Sequence, residues 1–222
     1  MTFSIVARAE QGAWFGVAIA SSSPAVASRC SYAKSRRGAV ATQNVTNPAL
    51  GPAVLVELEH VPAPDAVNRV FASEPHRDFR QLLAIGCTGS PAIRSGSKVL
   101  GIHGDSLGQD AAAAGNLLAR SSVPAAMVQA FEQAGGEFPT RLLAALRAGL
   151  DEGGEAGPVH SAGLYVVRDM SWPVVDLRVD WADQPIDSLA AAWMVFERQL
   201  EDYVRRAIDP QSAPSYHVAG DL

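Results

Sequence analysis

Thr2-Phe3-Ser4-Ile5-Val6-Ala7 and, after a short polar break, Trp14-Phe15-Gly16-Val17-Ala18-Ile19-Ala20-Ser21 are the stretches whose reading decides the fold. The first reads as a buried β-strand over residues 2–8. The second is nearly continuous in apolar character, the pattern of a strand covered on both faces. Glu10-Gln11-Gly12 between them supplies the turn, so the two form an antiparallel hairpin. Ser21-Ser22-Ser23-Pro24 ends it, and a polar, basic stretch leads to a third strand at Gly38-Ala39-Val40-Ala41-Thr42-Gln43.

Working outward, Leu50 to Glu59 has the look of a helix interrupted early by Gly51-Pro52, and Pro64-Asp65 opens a clearer one through Ser73, with Ala66, Val67, Val70 and Phe71 on one face. Residues 81–88, 91–96 and 98–103 alternate with glycines at hairpin spacing and read as a meander. A loop of small residues is expected from Gly104 to Asn116. Two helices follow, Val123 to Ala134 and Pro139 to Leu150, then a flexible link at Gly153 to Pro158. Residues 161–168 and 174–180 read as a second hairpin, in which Asp176 and Arg178 share one side and pair. Ile186 to Ile208 reads as one long amphipathic helix with Leu189, Trp193, Phe196, Leu200 and Tyr203 on its stripe. Strands and helices grouped in blocks imply two antiparallel sheets layered with helices. No linker divides the chain, so residues 1–209 are expected as one domain, with 210–222 a loosely ordered tail.

Composition narrows the function. At 222 residues the chain can bury a sizeable core, and 48% hydrophobic against 18% charged residues is a globular balance. A net charge of −5 gives no footprint for nucleic acid. The one basic cluster, Arg29, Lys34, Arg36 and Arg37, reads first as a solvated face. Cys30 and Cys87 form no metal or disulfide pattern, and no apolar run reaches the ~20 residues of a membrane helix. A cytoplasmic protein without metal or cofactor, acting without nucleic acid or membrane, is the expectation. His60, His76, His103, His160 and His217 show no ligand spacing to one another. Walker, dinucleotide-binding, zinc-protease and nucleophile-elbow motifs are absent.

Thr2 stands out for a different reason. Threonine is small enough for a preceding Met to be trimmed, which leaves a hydroxyl and a free α-amine on one residue. With an unperturbed pKa of about 7.7–8.0, that amine is neutral often enough to take the hydroxyl proton.

Five blocks carry a wider resemblance: residues 2–7, Gly16 to Ser21, Gly38 to Gln43 with Thr46-Asn47-Pro48 and Gly51, Gly115-Asn116-Leu117-Leu118-Ala119, and Val175 to Asp180. In this order they resemble an uncharacterised prokaryotic family grouped with the N-terminal-nucleophile (Ntn) hydrolase superfamily. The resemblance implies an α+β fold, a four-layer αββα sandwich of two antiparallel sheets. It also implies hydrolysis of C–N amide bonds, in which Thr2 attacks the carbonyl of a small amide or peptide-like substrate. Lys34 matches a basic position of the family pattern, where an ammonium favours the neutral amine and the alkoxide. Asn116, fixed between Gly115 and Leu117, is the implied oxyanion donor, a role worth roughly 2.7–4 kcal/mol. Ser21, Thr42 and Gln43 end strands near the mouth and are candidate substrate-binding residues. The sequence departs from the family pattern at Ser22, Arg94 and Asp105, and His103 lies one place from an expected histidine, where it is a substitute substrate contact. The alternative is a non-catalytic Ntn-like scaffold that binds a small molecule or a protein partner. Under either reading the C-terminal helix offers a surface for a homodimer.

Overall fold

The computed structural model describes residues 1–9, 13–216 and 218; the turn expected at 10–12 and the last residues of the tail lie outside them. β1 (Thr2–Arg8) and β2 (Phe15–Ser21) pair antiparallel, with Ile5 opposite Ala18. β2 continues to β9 (Ser161–Val167) and β10 (Val175–Val179), while the other edge of β1 takes β8 (Ala111–Asn116) and then β7 (Gly104–Leu107). This six-stranded sheet has the order β10-β9-β2-β1-β8-β7. A second sheet runs β3 (Ser31–Lys34), β4 (Gly38–Gln43), β5 (Gln81–Gly86) and β6 (Ala92–Ser95). Every pairing in both is antiparallel.

Strand alternation divides the core. Phe3, Ile5 and Ala7 of β1 face α4 (Val123–Gln133) and α5 (Phe138–Asp151), and α6 (Pro185–Phe196) covers β9 and β10 beside them, so that Met127, Phe131, Leu142, Leu146, Leu189 and Trp193 are buried in one cluster. The even-numbered residues of β1 turn the other way. Val6 packs with Phe15, Val17, Ala39, Ala41, Leu83, Ile85, Ala112 and Ala114, contributed by strands of both sheets. On its far side the smaller sheet presents Val40, Leu82 and Ala84 to α2 (Leu50–Glu57) and α3 (Ala63–Ser73). Burial of each large side chain in these clusters contributes about 1.5–3 kcal/mol.

Several expected elements change. Pro52 does not interrupt α2, because in the first helical turn its missing N–H has no intrahelical partner to lose. The polar stretch after Pro24 folds into α1 (Ala27–Cys30) and β3. Residues 98–103 form no strand, and the supposed small-residue loop at 104–116 is the β7–β8 hairpin. The long C-terminal helix breaks at a 3-10 turn, Glu197–Gln199, before α7 (Leu200–Ile208). Leu200 and Val204 stay on the buried stripe beyond the break, and the Arg168 guanidinium holds Glu201 with two hydrogen bonds. Tyr203 turns outward, while Arg206 ties the tail back through the carbonyls of Pro214 and Ser215. Arg178 donates to Asp176 at 2.6 and 2.8 Å, the pair expected from alternation. Among the described residues no helix is long and apolar enough to cross a membrane, and no cluster of three His, Cys, Asp or Glu is placed to hold a metal ion.

Candidate functional site

The layer between the two sheets is apolar at one end and polar at the other. At the apolar end Arg8 bonds Asp110 at 2.6 Å and the Gly86 carbonyl at 2.9 Å. Two and four residues back along the same face of β1, Val6 gives way to Ser4 and then Thr2. Ser4 Oγ donates to Gln43 Oε1 at 2.8 Å, and Gln43 Nε2 donates to Gln81 Oε1 at 2.7 Å and to the Ala114 carbonyl at 3.1 Å. Gln81 Nε2 reaches Ser95 Oγ at 3.0 Å and the Gly115 carbonyl at 3.4 Å. Asn116 Nδ2 closes the group on Gln81 Oε1 at 3.3 Å. Gln43, Gln81 and Asn116 are fully buried, so these bonds form in a medium where an unmade one is costly.

Thr2 stands at the end of this series, buried, directly opposite Asn116 across the β1–β8 ladder. Its hydroxyl donates to the Met1 carbonyl, and Ser21 Oγ donates to the same oxygen. Thr2 Oγ1 and Ser21 Oγ are 3.5 Å apart, and Ser21 Oγ in turn accepts from Ser23 N at 3.0 Å. Two hydroxyls therefore converge on the carbonyl that precedes Thr2.

Beside them is a carboxylate with no local signal in the sequence. Glu155, in the glycine-rich link, is buried and accepts from Ser22 N with both oxygens, at 3.0 and 3.1 Å. The link is pinned by a β-bridge from Leu118 to Glu155. Burial pushes the Glu155 carboxyl above its usual range, against the hydrogen bonds from Ser22. The fold therefore favours the protonated form more than the unfolded chain does. That stabilisation is present below the unfolded pKa and is lost as pH rises through the folded value. Glu155→Gln, which keeps the shape without the charge, is expected to melt a few degrees above the unsubstituted chain at pH 8 and level with it at pH 4, by scanning calorimetry.

His160 lies on the same side, with its backbone N–H on the Ser21 carbonyl at 2.8 Å and its ring stacked on Trp181 at 4.3 Å. The opposite rim consists of loops tied to the ends of β4 and β8. Asn44, next to Gln43, accepts from Leu100 N at 2.9 Å; Leu117 N and Leu118 N donate to the carbonyls of Leu100 and Ile102 at 3.0 and 2.8 Å. Val45, Leu100 and Ile102 are about half exposed on these loops. Asn44 and Leu117 hold left-handed φ angles of 41° and 51°. Such a conformation costs a leucine about 1–2 kcal/mol, and strain of this kind gathers where a chain positions a site.

The structure brings Thr2, Ser21, Gln43 and Asn116 to one end of the layer. Thr42 faces the other side of β4, where Oγ1 bonds the Asn47 carbonyl at 3.3 Å. His103 is exposed on the 96–103 loop, its Nδ1 3.2 Å from the Gly101 carbonyl. Lys34 is distant: it pairs with Gly38, five residues along β4 from Gln43 or about 17 Å at strand rise, and its exposed ammonium meets Glu59 at 3.5 Å. Asn116 is in place, but its NH2 is committed to Gln81 and its Oδ1 is buried without a partner among the described residues. Sequence reasoning missed Glu155 and Gln81. Gln81, at the head of an apolar strand opposite Gln43, is the one of the two that pattern alone could have raised.

Residues 2–189 match a family described as "Family of unknown function (DUF1028)". Protein SPO2555 from Silicibacter pomeroyi, assigned to the same family, has a solved structure that is 31% identical and superposes with a TM-score of 0.83 over 92% of this chain and 90% of that one. Anbu (ancestral beta-subunit) from Yersinia bercovieri is 11% identical, with a TM-score of 0.39 over 91% of this chain and 97% of that one. Thiobacillus denitrificans BPH in complex with epoxomicin is 13% identical, with a TM-score of 0.38 over 76% of this chain and 99% of that one. Overlaps as loose as the last two carry no argument about fold or chemistry. No curated protein matches the chain.

Proposed function

The chain belongs to the DUF1028 family of unknown function, and we propose that it is an amidohydrolase of Ntn type whose nucleophile is Thr2 once Met1 is removed. The observation that carries this reading is the convergence of Thr2 Oγ1 and Ser21 Oγ on one carbonyl oxygen at the buried end of β1. The packing of helices on the outer face of each sheet supports the four-layer αββα reading.

In the proposed reaction Thr2 Oγ1 attacks the substrate carbonyl carbon and its proton passes to the free α-amine of Thr2. The Ser21 hydroxyl, which now donates to the Met1 carbonyl, donates to the oxygen that becomes negative. Collapse of the tetrahedral adduct breaks the C–N bond, and the leaving amine departs with the proton held by the α-amine. Water then attacks the ester on Thr2, giving the carboxylic acid and restoring the hydroxyl. Ser21 fills the donor role without rearrangement, whereas Asn116 would first have to release Gln81.

The second reading is a scaffold that binds an amide-like ligand without cleaving it. The place of Lys34 favours it, since no ammonium from that residue reaches Thr2. Two measurements decide between them. Intact mass and N-terminal sequencing of protein from its native host are expected to show Thr2 first. A β-lactone electrophile is expected to add once, at Thr2, and not at all to Thr2→Ala. Uniform retention of Met1 would overturn the enzyme reading.

A further inference from the structure

The orientation of Asn116 is fixed by backbone atoms at some distance from it. A carbonyl oxygen can only accept, so the Ala114 carbonyl makes the facing atom of Gln43 its nitrogen, and Ser4 Oγ is left to donate to Gln43 Oε1. The Gly115 carbonyl sets the nitrogen of Gln81 in the same way, so Gln81 presents its oxygen to both Gln43 and Asn116. Asn116 must answer with its NH2. Its Oδ1 is thereby turned away from the network, fully buried and unpaired among the described residues, on the side chain directly opposite Thr2. Such an atom needs a donor, and leaving it unmatched costs about 1–3 kcal/mol. An acceptor in that place repels an oxyanion instead of stabilising it.

A second observation concerns the rim. Val45, Leu100 and Ile102 are half exposed on two loops that hydrogen bond to each other and to the end of β8. Apolar side chains gathered at the edge of a small polar cluster are the usual make-up of a ligand site.

We infer that the site takes an amide that still carries an N–H, with that N–H donated to Asn116 Oδ1 and an apolar acyl chain laid on Val45, Leu100 and Ile102. This rests on the reading of Thr2 and Ser21 as the carbonyl-binding end. The carbonyl oxygen goes to Ser21, the acyl chain leaves along the apolar loops, and the amide nitrogen faces β8. Esters and N-methyl amides leave Asn116 Oδ1 unmatched and are discriminated against.

Binding tests this separately from chemistry. A Thr2→Ala chain lacking Met1 is titrated by calorimetry with acetyl and octanoyl p-nitroanilides and with the N-methyl octanoyl anilide. Octanoyl anilide is expected to bind at least ~10-fold tighter than acetyl, and N-methylation to cost a further ~10-fold. Because N-methylation also changes the shape of the anilide, the deciding quantity is its effect in the Asn116→Leu background, where the N–H preference is expected to vanish. Leu100→Ser, which leaves the buried network intact, is expected to erase the chain-length preference alone. An N-methyl penalty that survives in Asn116→Leu, or equal binding of acetyl and octanoyl anilides, overturns the inference. Failure of the β-lactone to label Thr2 in the parent chain sinks the catalytic reading and leaves these binding results to stand.

Discussion

Gln43→Leu is expected to lower the unfolding free energy by about 3–4 kcal/mol, which in a chain of this size lowers Tm by roughly 10 °C. Leucine fills the volume but can neither accept nor donate. Ser4 Oγ loses its acceptor, the Ala114 carbonyl is left with its ladder bond to β1 alone, and Gln81 Oε1 keeps only the longer bond from Asn116. Each buried group left unmatched costs about 1–3 kcal/mol, more than the bond contributed when made. Urea titration gives the free energy, and a loss under ~1 kcal/mol would mean the network relaxes around the change. Non-additivity offers a sharper check. Adding Gln81→Met to Gln43→Leu is expected to cost much less than the two losses summed, because each substitution removes the partner that the other strands.

Glu74→Ala is expected to cost about 3 kcal/mol. Glu74 follows α3 and gathers four donors: Asn47 Nδ2 at 2.9 Å, His76 N at 3.1 Å, and Arg80 Nε and Nη2 at 3.3 and 3.1 Å. Arg80 also reaches the Val45 carbonyl, so removal leaves a nearly buried guanidinium uncompensated and releases the loop that carries Val45. Burial acts to raise the carboxyl, but the hydrogen bonds from Asn47, Arg80 and His76 outweigh it and hold the group below its usual range. The contribution is therefore complete above the unfolded carboxylate pKa of about 4.3 and is lost as pH falls through the lower folded value. Between pH 7 and pH 3 the gap between the parent chain and Glu74→Gln, measured by denaturant titration, is expected to narrow. A gap that stays constant or widens would show that the charge on Glu74 is not what holds the loop.

The strands that organise the fold were legible where the chemistry is local. Phe3 to Ala7 and Phe15 to Ser21 are apolar runs with turn residues between them, and the helices at 123–133 and 138–151 keep their 3.6-residue spacing. β8 was not legible, although it pairs directly with β1. Ala111 to Ala114 has helix-forming composition and no periodicity. What makes it a strand is tertiary: β1 and β7 take its two edges, and methyl side chains let α4 and the second sheet come close on its faces. Gly115 continues that logic, for a Cβ there would lie 2.6 Å from Leu118 Cδ2. The candidate site divides in the same way. Thr2, Ser21, Gln43 and Asn116 sit at strand ends and could be named from pattern and resemblance. Glu155 sits in a glycine-rich link, and nothing around it in the sequence signals that a β-bridge to Leu118 will bury it. The polarity of Asn116 depends on two distant backbone carbonyls and has no trace in the order of residues.

The chain of amides also settles how the two sheets can be aligned. Sliding the whole six-stranded sheet by two residues along β1 would return the same side-chain face to the second sheet and exchange one aliphatic contact for another among Val6, Ala41 and Leu83. Dispersion forces alone distinguish such alignments weakly. In the slid arrangement Ser4 would no longer meet Gln43, and the amide nitrogen of Gln43 would have no Ala114 carbonyl to reach. The polar end of the layer thus acts as a vernier, accepting a single setting of one sheet against the other. Substitutions among the alanines and valines of the apolar end can drift without moving Thr2, because its position is gauged from the amides.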